Sequence, residues 1–128
     1  MLFRSIKVTE QYGRGMYATE DIEAGIPLEV CEVLVLSKED TVKVNQTELK
    51  YYTFAYKQDQ DCLVLGNGEI FNHSDEPNTG YKLSRVNKRD VMLFYTLRDV
   101  KAGEQLFTDY NADVKVDTEA YKSNKSLI

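Results

Sequence analysis

A chain of 128 residues, 42% of them hydrophobic, is long enough to bury a real core as one domain. Its formal charge of -5 and pI near 4.9 repel a phosphate backbone and attract cationic partners such as Lys- or Arg-rich peptides, which argues against nucleic acid as a direct ligand. No apolar run approaches the roughly 20 residues of a membrane span and Met1 to Ser5 lacks a signal-peptide stretch, so the expectation is an intracellular protein with no membrane partner.

Short strand candidates separated by turns dominate the chain. Phe3, Ile6 and Val8 begin the first, Leu28 to Leu36 is a long aliphatic run, and Tyr51 to Tyr56, Cys62 to Leu65, Val91 to Leu97 and Gln105 to Phe107 follow. One helix is expected around Lys38 to Lys50, with Ser37 as its cap and Glu39 and Asp40 in its first turn; Thr41, Val42, Val44 and Asn45 weaken it. The reading is mostly β with one or two short helical pieces. Beyond Asn111 the tail is polar, has Tyr121 as its only large aromatic, and is expected to dock loosely or to order on binding.

Cys31 and Cys62 lie in aliphatic contexts, where free cysteine behaves as a small core residue. With one histidine and no close cysteine pair, no metal site is expected. Asp21-Ile22-Glu23-Ala24-Gly25-Ile26-Pro27-Leu28 is echoed by Asp99-Val100-Lys101-Ala102-Gly103-Glu104-Gln105-Leu106, each reading as a turn that feeds a strand, with glycine at a positive-φ position.

The chemistry concentrates elsewhere. Phe71-Asn72-His73-Ser74, closed by Pro77-Asn78, places amide, imidazole and hydroxyl groups over three residues, and His73 is the only histidine. Two readings stand at this point: a site that holds a polar ligand, or a turn in which Asn72 and Ser74 satisfy local backbone groups. Gly13-Arg14-Gly15-Met16 lets backbone approach a ligand closely, but it lacks the Gly-Lys-Ser/Thr of a phosphate cradle.

In order, Gly13-Arg14-Gly15-Met16-Tyr17-Ala18, then Phe71-Asn72-His73-Ser74 with Pro77-Asn78, then Arg98 to Leu106 and Asp109-Tyr110, the chain resembles a SET domain over roughly residues 3 to 112. SET domains are S-adenosylmethionine-dependent protein lysine methyltransferases. The resemblance implies a β-clip of several small sheets, with short helices and a C-terminal pseudoknot beside Asn72-His73, a rare threading. It implies a SET domain over residues 1–112 and a tail over 113–128 that takes part in the substrate channel. The length is similar to the minimal viral SET proteins, which implies a homodimer or Tyr121 as the means of closing that channel, because no zinc-binding cysteine cluster follows the core.

The same resemblance implies roles. Arg14, Gly15, Met16, Asn72 and His73 would hold S-adenosylmethionine. Tyr110 would orient the lysine amine as the catalytic tyrosine, since a phenol with pKa near 10 is a poor base at neutral pH. Tyr52, Tyr81, Phe107 and Thr108 would line the lysine channel, although most of nine tyrosines in a β protein are packing residues. Thr108 leaves a small wall two residues before Tyr110, and Tyr81 is expected to fill that space and to limit the number of methyl groups added. The implied substrate is a basic, histone-like protein or peptide. The competing class is a non-catalytic β-clip module that binds basic peptides through Asp59, Asp61, Asp75 and Glu76.

Overall fold

The computed structural model describes residues 4–9, 11 and 13–122. Among them are ten strands: β1 (Arg4–Thr9), β2 (Gly13–Ala18), β3 (Pro27–Val35), β4 (Thr53–Ala55), β5 (Asp61–Val64), β6 (Asn72–His73), β7 (Thr79–Val86), β8 (Arg89–Thr96), β9 (Gln105–Thr108) and β10 (Lys115–Val116). Helices α1 (Lys38–Val44) and α2 (Thr118–Lys122) and two 3₁₀ turns, Glu48–Tyr52 and Gly66–Glu69, complete the described elements. The expected strand opening at Phe3 falls on a residue outside this set. The expectation of mostly β structure in several sheets holds.

The chain divides into two compact units. The first comprises Met1–Val30, Ile70–Tyr81 and Leu93–Ala112, and the second Cys31–Glu69, Lys82–Met92 and Asp113–Ile128. Strand order is β1-β2-β9-β6 in one sheet and β10-β7-β8-β3-β5-β4 in the other.

In the first unit β1 and β2 run antiparallel from Arg4↔Ala18 to Thr9↔Gly13, and β2 pairs antiparallel with β9 through Met16↔Leu106. Strand β6 pairs parallel with β9, Asn72 against Phe107 and His73 against Thr108. Buried Asn78 continues the edge that β6 covers: its Nδ2 donates to Gln105 O at 2.8 Å and its Oδ1 accepts from Phe107 N at 2.8 Å. Strand β9 is therefore held by β2 on one side and by the segment from Asn72 to Asn78 on the other, the arrangement on which a pseudoknot rests. Met16, Phe71, Phe94, Val100 and Leu106 are buried here, and the Phe71 and Phe94 rings stack at 4.9 Å.

The internal repeat pairs with itself. Ile22 and Val100 exchange backbone hydrogen bonds of 2.8 Å each way, Ala24 N donates to Asp99 Oδ1 at 3.0 Å, and Ala102 N donates to Asp21 Oδ1 at 2.9 Å. Each aspartate thus caps the turn of the other copy. Gly25 and Gly103 take φ of 81° and 90°, a conformation a Cβ would resist.

In the second unit Ser37 caps α1 as expected, its hydroxyl accepting from Asp40 N at 3.0 Å, but the helix stops at Val44. Thr47 then caps a separate 3₁₀ turn, its hydroxyl accepting from Leu49 N, which takes up residues 48 to 52 and shortens the expected strand at Tyr51 to Thr53–Ala55. Cys31 and Cys62 are buried and not joined in a disulfide, and burial pushes the Cys62 thiol up to about 12. As far as residue 122 the tail is ordered by pairing rather than loosely docked. Lys115 and Val116 run parallel to Lys82 and Leu83, and Asp117 donates its N–H to Leu83 O and accepts from Ser84 Oγ at 3.0 Å. Among the described residues no helix is long and apolar enough to cross a membrane.

Candidate active site

The parallel register of β6 and β9 sets the two polar sequence clusters side by side within the first unit. Tyr110, just past β9, donates its hydroxyl proton to Phe71 O at 2.6 Å and its backbone N–H to His73 Nδ1 at 3.0 Å. The two rings lie 5.1 Å apart. An N–H facing Nδ1 makes that nitrogen the acceptor, so the imidazole carries its proton on Nε2, toward Asp75 Oδ1 at 2.9 Å. His73, Asp75 and Asp109 bring their ligand atoms within 4.8 Å of one another, but both ring nitrogens of His73 already have partners.

The turn reading of this cluster holds for Ser74, whose Oγ accepts from Glu76 N two residues on. It does not hold for Asn72. Its Nδ2 reaches Arg14 O at 2.9 Å and Gln105 Oε1 at 2.8 Å, so it ties β6 to β2 and β9. Arg14 is exposed, whereas Met16 is fully buried and offers only its backbone.

These groups fit S-adenosylmethionine by donor chemistry. With both Asn72 N–H bonds committed, Oδ1 remains as an acceptor suited to an ammonium, and the exposed Arg14 guanidinium suits a carboxylate.

Of the channel candidates, Tyr81, Phe107 and Thr108 fall in the first unit, with the catalytic candidate Tyr110, and Tyr52 in the second. Tyr52 is 52% exposed on its 3₁₀ turn and is not a core residue. Thr108 is buried, and Tyr81, also buried, donates its hydroxyl to Asp109 O at 2.8 Å with Ala112 O at 3.2 Å. Tyr81 therefore braces the backbone on both sides of Tyr110, a use for its hydroxyl other than gating an amine. Tyr110 is 56% exposed.

In the second unit Asp90 gathers a separate cluster. Tyr56 donates to Asp90 Oδ2, Arg85 Nε meets Oδ1 at 3.2 Å, and the Arg85 guanidinium lies 5.1 Å from the Tyr121 ring centroid. Burial opposes Asp90 ionisation, but hydrogen bonds from Tyr56 and Arg85, with the Arg85 charge, prevail and hold its carboxyl below the usual range. Burial and then Asp90 push Tyr56 up to about 12. Tyr121, the sequence candidate for a channel lid, spends its hydroxyl on Ser84 O at 3.1 Å.

The sequence reading missed Gln105 and the Phe71 carbonyl. A carbonyl carries no residue-type signal, and the partners of Gln105 lie 33 and 88 residues away.

Comparison with known proteins supplies a family. Residues 13–111 match the SET domain. A histone-lysine N-methyltransferase of Schizosaccharomyces pombe, specific for H3 lysine-37, is 35% identical over 121 residues, covering 94% of this chain and 81% of that protein. A SET domain-containing protein of Acanthamoeba polyphaga mimivirus is 36% identical over 74 residues, 58% of this chain and 27% of that one. The crystal structure of a Plasmodium falciparum histone methyltransferase aligns with a TM-score of 0.70 at 21% identity, covering 88% of this chain and 96% of that one, a likeness of fold.

Proposed function

The chain belongs to the SET-domain family and is a protein-lysine methyltransferase, and on that premise we propose that it takes its methyl group from S-adenosylmethionine and places it on a lysine of a basic, histone-like protein inside the cell. The observation that carries the reading is the hydrogen bond from the Tyr110 hydroxyl to Phe71 O at 2.6 Å, one residue from the Asn72 amide that is tied to Arg14.

When bound, S-adenosylmethionine supplies an electrophilic methyl on a sulfonium. This chain contributes positioning. The Tyr110 hydroxyl donates its hydrogen bond to Phe71 O, so its oxygen would serve as an acceptor for the amine N–H. A phenol is a poor base at neutral pH, and the lysine loses its proton to solvent before transfer. Tyr81 and His73 hold the Tyr110 backbone from opposite ends of the Asp109–Tyr110 step, which limits the wandering of that oxygen. Arg14, Gly15, Met16, Asn72 and His73 would form the cofactor end, and Phe107, Thr108 and Tyr81 the lysine end.

Charge supports the substrate class. Asp75 and Glu76 are exposed beside the site, and the net charge of -5 draws cationic tails. The fission-yeast relative acts on histone H3, which makes core histones the first substrates to try. The experiment is incubation of the protein with isotopically labelled S-adenosylmethionine and separate core histones, followed by peptide mass spectrometry. Label on one or a few lysines is expected. Binding of histone tails with no label transferred would favour the binding module instead.

A further inference from the structure

Gln105 stands at the centre of a polar chain that crosses three strands. Its Oε1 lies 2.8 Å from Asn72 Nδ2 and its Nε2 lies 3.1 Å from Tyr17 Oη, while Asn72 Nδ2 also reaches Arg14 O at 2.9 Å. The direction of the chain is set at one end. A backbone carbonyl only accepts, so the Asn72 atom at Arg14 O is the nitrogen; the Gln105 atom facing that nitrogen is then the oxygen, and its nitrogen is left to donate to Tyr17. One main-chain carbonyl thereby fixes the orientation of two amides.

Gly15 belongs to the same device. A Cβ there would sit 2.6 Å from Gln105 Oε1 and 3.1 Å from Asn72 Nδ2. The glycine leaves room for the end of the Gln105 side chain, which a Cβ would push aside.

We propose that Gln105 is a positioning residue for the cofactor end of the site, holding the Asn72 amide so that Oδ1, the one atom left to it, faces the ligand as an acceptor for a cationic group. This rests on the reading above that Asn72 meets S-adenosylmethionine. Without Gln105 one Asn72 N–H loses its acceptor, and the bond to Arg14 O alone is left to hold the amide against tilting away from the ligand. The role is met by any side chain presenting an acceptor to Asn72 and a partner to Tyr17. A glutamate would do so, with Tyr17 donating to its second oxygen.

The test is calorimetric titration of adenosylhomocysteine into the parent and into Gln105→Leu, Gln105→Glu and Tyr17→Phe, with KM for S-adenosylmethionine and kcat measured beside it. Gln105→Leu should bind about tenfold more weakly, with the loss appearing in KM more than in kcat. Gln105→Glu should restore affinity to within about threefold of the parent. Leu binding as well as the parent, or Glu binding as poorly as Leu, overturns the proposal. Should Gln105→Leu not fold, Tyr17→Phe carries the same readout: an affinity loss of about threefold supports the chain and no loss overturns it. A parent that does not bind the nucleoside refutes the cofactor assignment itself, an outcome distinct from a parent that binds and a Leu variant that binds equally.

Discussion

Tyr110 is the residue on which the chemistry turns. Tyr110→Phe keeps the ring packing against His73 and removes only the hydroxyl that bonds Phe71 O, so folding and adenosylhomocysteine affinity should change little while turnover falls about a hundredfold. Unchanged turnover would remove Tyr110 from the mechanism. Tyr81→Phe deletes the brace at Asp109 O and Ala112 O, and a modest loss of turnover, without a rise in di- and trimethyl product on a fixed peptide, is the expected result. A shift of product toward higher methylation would reinstate Tyr81 as the gate that its spacing after Pro77-Asn78 suggests. At this scale the sequence was legible where function needs rare residue types in one short run, as at Asn72 and His73. It was silent where the work is done by a carbonyl, as at Phe71, or by an ordinary glutamine whose partners come from distant strands.

At the scale of elements, β9 depends on Asn78. Its side chain satisfies both a donor and an acceptor of the β9 backbone, so Asn78→Ala should destabilise the fold by about 2–4 kcal/mol in chemical denaturation, more than a typical surface change. A cost near zero would mean that water replaces the amide and that β6 suffices on that edge of the strand. The reciprocal caps give a milder test. Asp21→Ala and Asp99→Ala should each cost about 1 kcal/mol, and similar costs for both would reflect the matched roles of the two copies. This repeat could be read from sequence because its turns need glycine at a positive φ, a demand that leaves few choices. Strand β7 could not be picked out from composition, since Lys82, Ser84 and Arg85 dilute its apolar content; only the alternation of Thr79, Tyr81 and Leu83, all buried, betrays it. The end of α1 at Val44 was foreshadowed by its β-branched residues, whereas the 3₁₀ turn that follows depends on a local Thr47 cap.

For the molecule as a whole, burial raises the Glu69 carboxyl to about 7 from an ordinary value of 4.5. Its folded-state pKa lies above its unfolded one, so the fold binds this proton more tightly; the contribution is complete below about pH 4.5 and is lost as pH rises toward 7. Glu69→Gln should therefore gain stability relative to the parent between about pH 5 and about pH 8, by roughly 1–2 kcal/mol after allowance for the part of the group that water reaches. Parallel stability curves for the two proteins would show that the carboxyl is solvated. Fold class and family were legible because an ordered set of short motifs spans most of the chain. The division into two interleaved units was not, because each is assembled from three separate stretches of sequence.

Methyl transfer itself is the central claim, and the most direct measurement is the intact mass of a histone H3 tail peptide after incubation with S-adenosylmethionine and either the parent protein or Tyr110→Phe. The parent should add the mass of at least one methyl group to the peptide, fragmentation should place it on a lysine, and the Tyr110→Phe sample should lag by about a hundredfold. A parent protein that binds adenosylhomocysteine yet leaves this peptide and every core histone unmodified would contradict the histone assignment, and equal labelling by the two proteins would contradict the site.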